Sequence, residues 1–199
     1  MIFSIDVRHR TVRNVELVCP RCGLDRTGAE TIPVRWACLF GVPLVPLGEH
    51  ERVVTCDECG HGSDIGVLDV PTSGQLAELL REATVGAFVI AVRAAEPADR
   101  PAARAAAAAA LVEAGFAADL AEFEHDLRQL DVATARLRLR RVGPELTAFG
   151  KQSFLHRAAA VGAVSGTAAT RDALIQIGCD LRMAAPHING VLAVADIAA

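Results

Sequence analysis

The chain has 199 residues, of which 52% are hydrophobic and 22% charged, so its composition excludes intrinsic disorder. A formal net charge of −4 argues against a general binder of phosphate backbones, because such proteins carry a basic face. Aromatic residues make up only 4%, so small aliphatic side chains must fill the core, which favours closely packed helices in part of the chain.

The first residues do not have the pattern of a secretion signal, because Asp6 comes early and no basic segment precedes an apolar run. No stretch is long and apolar enough to cross a bilayer. We therefore expect a cytoplasmic protein without membrane insertion. Thiols stay reduced in that compartment, so clustered cysteines are interpreted as metal ligands rather than disulfides.

Residues 1–70 are predicted to form short strands. Apolar residues alternate over 3–7 and 15–19, and further β-prone runs cover 31–40, 51–55 and 65–70. Between them lies an apolar segment in which Pro43 and Pro46 exclude a helix or a central strand. We expect this segment to be an extended arm, buried against the neighbouring domain or in a dimer contact. Its large apolar residues are Leu39, Phe40, Val42, Leu44, Val45 and Leu47.

Helical periodicity replaces the strand pattern after residue 73. Ser73 is predicted to cap a helix that runs to about Ala95, and Asp99 to cap a second that ends before Gly115. Five more helices are predicted over about 118–129, 131–142, 145–164, 168–183 and 186–197. The predicted fold is therefore α+β, with a β-rich domain over 1–70 and an all-α bundle of about seven helices over 74–199.

Two Cys-x-x-Cys-Gly motifs, at 19–23 and 56–60, carry the strongest chemical signal. Each motif directs two thiolates to one point, and its glycine permits a left-handed turn. Four sulfurs complete a tetrahedral zinc site at about 2.3 Å and leave no open position for catalysis. We therefore predict one structural zinc ion per chain. The predicted ligands are Cys19, Cys22, Cys56 and Cys59.

Other interpretations of the cysteines and of nearby residues are weaker. A redox dithiol normally accompanies a βαβ pattern, which this sequence does not show. His61 follows the second motif and is a possible replacement ligand, but four thiols already complete the site. Cys38 and Cys179 are expected to be small buried core residues.

The segment Arg-Trp-Ala-Cys-Leu-Phe-Gly-Val-Pro-Leu-Val-Pro-Leu-Gly (35–48), set between the two cysteine motifs, resembles the zinc-ribbon of TerB-like proteins. In that family the ribbon precedes a helical tellurite-resistance domain, and the layout about 114–116 and 165–166 is similar. The resemblance implies a non-enzymatic binding or scaffolding protein of a stress response. It also implies a protein partner or self-association.

The helical domain of that family binds divalent cations through acidic loops, and here the match fails. Ser165 stands where an aspartate is expected, and Asp172 is the nearest acid on the following helix. The other loop offers only Glu96 and Asp99. Because hard cations need several oxygen ligands in one place, we expect no second metal site.

An arginine cluster between residues 136 and 141 is the remaining candidate for a ligand site. We predict a salt-bridged helix face, with RNA or phosphate binding as the weaker alternative. The cluster is Arg136, Arg138, Arg140 and Arg141, and the acids expected to neutralise it are Glu122, Glu124, Asp126 and Asp131. No catalytic motif occurs. The alternative function is a nucleic-acid-associated regulator that reads through its ribbon, but the acidic tip at Asp57 and Glu58 argues against it.

Overall fold

The computed structural model describes residues 3–116 and 120–195 and confirms the α+β class. An antiparallel five-stranded sheet precedes seven α-helices. The chain divides into two compact units, Met1–Gln75 and Leu76–Ala199. Within the described ranges, no helix has the length and apolar character needed to span a membrane.

The first unit is built on one long hairpin. Strands β1 and β2 pair along their length, from Phe3 opposite Leu39 at one end to Cys19 opposite Leu24 at the other. One half of β2 also pairs with β3, and the other half pairs with β4, which in turn pairs with β5. The strands are β1 (Phe3–Cys19), β2 (Leu24–Leu39), β3 (Val42–Glu49), β4 (Val53–Cys56) and β5 (Gly62–Asp64).

The two faces of this sheet differ in how many buried residues they carry. Directly paired residues of an antiparallel ladder project on the same face, and neighbours along a strand alternate. One face, which we call the inner face, carries the most buried residues of the unit; the opposite face is the outer face. The buried residues on the inner face are Leu17, Cys19, Glu30, Ile32, Val34, Cys38, Val54 and Cys56.

A β-bulge changes the face on which the odd-numbered residues of β1 lie. The register shifts between Thr11 and Arg13, which leaves Val12 without a partner in β2. Residues 3, 5 and 7 therefore project on the outer face, whereas residues 17 and 19 project on the inner face. The two apolar runs predicted as separate strands are parts of one strand that the bulge interrupts.

One strand prediction for this unit is wrong, and the burial predicted for its apolar arm is not found within the unit. Residues Ile65–Asp69 form a 3-10 helix rather than a strand, because the Asp64 carboxylate accepts the Gly66 N–H at 2.7 Å and starts a turn. Much of the apolar arm is exposed within its own unit, with Phe40 73% exposed and Leu44 56%, and the dimer contact given as the alternative stays a prediction. Most of the arm is β3, which among the described strands pairs only with β2, as its prolines require of an edge strand.

In the described residues after Thr72 the structure has seven α-helices, and α1 is buried over much of its length. Ten consecutive α1 residues, from Ala83 to Val92, are buried, which is typical of a helix surrounded by others. The helices are α1 (Ser73–Ala94), α2 (Arg100–Glu113), α3 (Leu120–Gln129), α4 (Val132–Val142), α5 (Ala148–Gly162), α6 (Ala168–Asp180) and α7 (Ala185–Val194).

The predicted helix caps need correction. Thr72, not Ser73, caps α1: its hydroxyl accepts the Gln75 N–H at 3.4 Å, and the Gln75 side chain accepts the Thr72 N–H at 3.0 Å. Ser73 instead donates its N–H to the Asp25 carboxylate at 2.9 Å. Asp99 makes no side-chain cap, because its carboxylate accepts the Ser165 hydroxyl at 3.0 Å.

The arginine cluster is a salt-bridged helix face, as predicted, but most of its acidic partners differ. Arg136 and Arg140 both bind the buried Asp180, at 2.6 and 2.8 Å, and Arg138 binds Asp126 at 2.5 Å. The fourth arginine lies 3.7 Å from Glu82. Of the other acids predicted to neutralise the cluster, Glu122 and Glu124 pair with other arginines, and Asp131 caps α4.

Candidate metal centre

The structure brings the four cysteines of the two motifs together. Their sulfur atoms all lie within 4.8 Å of one another, and the sulfurs of Cys19 and Cys59 are 3.6 Å apart. A metal ion bound tetrahedrally at about 2.3 Å separates its sulfur ligands by about 3.8 Å. The cluster can therefore hold one metal ion. Its members are Cys19, Cys22, Cys56 and Cys59.

The two motifs fold into the same kind of turn. Gly23 and Gly60 have φ values of 69° and 66°, in the left-handed region that favours glycine. The Gly23 N–H donates to the Cys19 carbonyl at 2.8 Å, and the Gly60 N–H donates to the Cys56 carbonyl at 3.0 Å. The sequence correctly indicates both glycines as turn residues.

Sheet topology explains how 33 intervening residues fit between the motifs. Cys19 ends β1 and Cys56 ends β4, and both strands are neighbours of β2. The chain runs away from the first motif along β2, turns through β3 and returns along β4. The register pairs Cys56 with Gly28 of β2, which brings the second motif back beside the first.

Burial and charge at the cluster favour a bound cation. Cys19 and Cys56 are buried, whereas Cys22 and Cys59 are half-buried. The Cys22 N–H points to the Cys19 sulfur at 3.5 Å, and it lowers the pKa of Cys19 to about 7. Hydrogen bonding with Cys59, together with burial, raises the pKa of Cys22 to about 12. Four thiolates this close repel one another unless a cation neutralises them.

A strand glycine next to the cluster was not predicted to matter. At Gly28 a Cβ atom would lie 2.5 Å from the Thr55 carbonyl oxygen and 2.9 Å from a methyl carbon of Leu17. Only glycine therefore lets β4 approach β2 this closely beside Cys56. A glycine inside a strand indicates such an approach, and that signal was present in the sequence.

The remaining candidate residues are His61, Cys38 and Cys179. His61 accepts the Cys56 N–H through its backbone carbonyl at 3.0 Å, and its ring does not belong to the cluster. Cys38 is buried, as expected. Cys179 is exposed, so its predicted core role is wrong: it projects from α6 beside the buried Asp180 rather than into the helix's packed side.

Several arginines of the N-terminal unit are bound to carboxylates. Glu30 is buried on the inner face and accepts from Arg13 at 2.7 Å and from Arg52 at 2.8 Å. These two hydrogen bonds hold the pKa of Glu30 below its ordinary value. Arg10 pairs with Glu49 at 2.9 Å. The charge of these three arginines is therefore compensated, whereas Arg35 is exposed on the outer face.

In comparisons with known proteins, no family model, no curated protein and no solved structure matches the chain. The resemblance to TerB-like proteins therefore stays a prediction from the sequence motifs.

Proposed function

We propose that the chain is a non-enzymatic zinc-binding protein whose N-terminal sheet is organised around one structural zinc ion. The observation that carries the proposal is the convergence of four thiols within 4.8 Å from two glycine-closed turns. Two of the four sulfurs belong to buried residues, and four protein ligands leave no site for a reacting water.

Zinc is favoured over other ions by the ligand type. Soft thiolates select zinc, iron or copper(I), whereas magnesium and calcium need oxygen ligands. Among these, zinc suits a site that is tetrahedral and serves only to hold two turns together. A mononuclear iron site has the same four ligands, so the metal must be identified directly.

The decisive experiment is elemental analysis of the full-length protein, purified without added metal. We expect one zinc per chain, and cobalt(II) substitution is expected to give the absorption of tetrahedral thiolate coordination. Cys56→Ser should lose most of the metal, and Cys179→Ser, at an exposed cysteine outside the cluster, should retain all of it. Stoichiometric iron, or full zinc content in Cys56→Ser, would refute the assignment.

We further propose that the protein works as a binding or scaffolding module in a stress response. The salt-bridged arginines support this role over nucleic-acid binding, because their charge is already compensated. The link to tellurite rests on the motifs at 19–23, 35–48 and 56–60. Deleting the gene in its host should lower tellurite tolerance, and the wild-type gene should restore it where Cys56→Ser does not. Unchanged tolerance in the deletion strain would refute that link.

A further inference from the structure

A cleft in the helical unit is lined mainly by apolar side chains. Its volume is about 230 Å³, and its walls come from α1, from the end of α2 and from residues 146–157 at and within α5. Three of the chain's seven phenylalanines line it. We call this cavity the apolar cleft. Its larger apolar lining residues are Leu80, Phe88, Phe116, Leu146 and Phe154.

Helix geometry fixes the walls of the apolar cleft. Leu80, Thr84 and Phe88 are four residues apart on α1, so they lie on one face of that helix. The Phe116 N–H donates to the Leu111 carbonyl at 2.8 Å, which closes the end of α2 and holds the ring of Phe116 near its own helix. The cleft is therefore formed before any ligand binds, as small-molecule sites usually are.

Three polar side chains line the apolar cleft among the residues that the structure describes. The Thr84 hydroxyl is satisfied, because it donates to the Leu80 carbonyl at 2.7 Å. The Ser153 hydroxyl and the Arg157 guanidinium have no hydrogen bond or ion pair within the described part of the chain. These two residues are four apart on α5, so they lie on the same face of the helix.

A second cavity shares Ser153 and Arg157 with the apolar cleft. Its other described lining residues are Gln152 and His156, so all four are polar. We call it the polar cavity. Ser153 and Arg157 therefore stand between an apolar and a polar cavity, which is the arrangement that an amphipathic molecule needs.

The charges at the two cavities favour an anion. No carboxylate occurs among their described lining residues, and Arg157 carries the one permanent charge. Glu113 and Glu145 precede lining residues in the sequence, but both are exposed and neither lines a cavity. A guanidinium binds a carboxylate through two parallel hydrogen bonds and repels a cation. A neutral ligand would gain less at this position than an anion.

We propose that the apolar cleft and the polar cavity together bind a small amphipathic carboxylate, with its apolar body in the cleft and its carboxylate beside Ser153 and Arg157. An apolar cavity of about 150 Å³ holds one benzene molecule. The cleft is larger than this and fits one aromatic ring with a short chain, and its phenylalanines offer edge-to-face contacts to that ring. The inference goes beyond the proposed function and does not rest on it, because both cavities lie in Leu76–Ala199.

The test is isothermal titration calorimetry of the zinc-loaded full chain with 3-phenylpropionate. We expect a Kd of about 0.1–1 mM, given the size of the ligand. The neutral 3-phenylpropanamide has nearly the same shape and should bind about 10-fold more weakly, because it lacks the charge-assisted hydrogen bonds. Arg157→Gln should weaken binding of the acid about 10-fold and leave binding of the amide unchanged. Arg128→Gln, at an exposed arginine that lines neither cavity, should change neither affinity.

Filling the cleft tests where the apolar body lies. Gly150 lines the cleft, and a Cβ there would meet the Leu146 side chain at 3.4 Å, an ordinary van der Waals contact. Gly150→Leu should therefore fold, since leucine also favours a helix, and should abolish binding of both compounds. Gly190→Leu is the matched control: its Cβ meets nothing within 4 Å in α7, and binding should be retained.

NMR shift mapping on the wild type locates the ligand whether or not Gly150→Leu folds. The acid should shift the backbone amide signals of residues 150–157 and of Phe116 most strongly. The absence of binding at about 10 mM, equal affinities for acid and amide, or shifts centred elsewhere would overturn the inference. Equal losses in Arg157→Gln and Arg128→Gln would do the same. Zinc content is measured separately, so either proposal can fail without the other.

Discussion

Replacing Gly28 with alanine tests whether the close approach of two strands supports the metal centre. The new Cβ would lie 2.5 Å from the Thr55 carbonyl oxygen, a separation that real Cβ atoms do not show. Because the obstacle is backbone, relief requires β4 to move away from β2. Thr55 directly precedes the ligand Cys56, so the displacement reaches the cluster.

The magnitude follows from two opposing effects. Overpacking costs about 1–3 kcal/mol, and a backbone obstacle places this case at the upper end. Replacing a strand glycine returns about 0.5–1 kcal/mol of conformational entropy. The net destabilisation is about 2 kcal/mol. Because folding of such a sheet is coupled to metal binding, this corresponds to about 30-fold weaker zinc binding.

Competition with a chromophoric chelator measures the zinc affinity, and thermal denaturation measures the stability of the zinc-loaded protein. Gly62→Ala is the matched control in the same sheet, because its Cβ would meet only the tip of Val53 at 3.3 Å. It should change zinc affinity by less than about threefold. Wild-type affinity and stability in Gly28→Ala would refute the argument.

Three further predictions concern separate parts of the chain. Hydrogen bonds from Arg13 and Arg52 lower the pKa of the Glu30 carboxyl group. The ionised carboxylate therefore stabilises the fold at pH values above the ordinary glutamate pKa. This stabilisation is lost as the pH falls through the lowered pKa. The denaturation midpoint of Glu30→Gln should therefore lie below that of wild type at pH 7, and the gap should narrow below about pH 4.5; a constant gap would contradict this. Gly178→Ala should destabilise the protein by about 1–3 kcal/mol, because the new Cβ would lie 2.7 Å from Ile188. Gly190→Ala, whose new Cβ meets nothing within 4 Å, should instead stabilise it by up to about 1 kcal/mol. Equal denaturation midpoints in the two variants would show the overlap at Gly178 to be harmless. Millimolar calcium should not raise the melting temperature of the full chain, since Asp99 is bonded to Ser165; a rise abolished by Asp172→Asn would overturn that expectation.

The features that sequence reasoning predicts correctly depend on neighbouring residues. A Cys-x-x-Cys-Gly motif brings its own two thiols together, and its glycine sets the turn, so both halves of the cluster are visible locally. The seven helices follow from apolar periodicity and from breaks at glycine and proline. None of these predictions needs the tertiary arrangement.

The features that were missed depend on partners distant in sequence. Glu30 is buried only because the register places Arg13 beside it and β4 brings Arg52 to its other oxygen. Likewise Asp180, an acid in the last turn of α6, is buried because two arginines of α4 reach it. Residue type alone predicts both acids to be exposed.

The last prediction concerns the bulge at Val12. Apolar residues occupy odd-numbered positions of β1 on both sides of the bulge, but they lie on the outer face before it and on the inner face after it. The even residues Arg26 and Ile32 of β2 lie on the inner face throughout. Removing Val12 joins Thr11 to Arg13, whose partners in β2 are already consecutive. The deletion therefore regularises the ladder without moving any other residue to the opposite face.

We expect the Val12 deletion to keep full zinc content and a melting temperature close to that of wild type, because the lost side chain is 44% exposed. Deleting Arg8, in the regular part of the ladder, should instead shift the preceding residues by one. That shift turns Ile5 to the inner face and Asp6 to the outer face, since a slip of one residue reverses every side chain. Both deletions remove one residue from the same strand, so they differ only in register. Equal loss of stability in the two proteins would show that the bulge does not set the faces of this sheet.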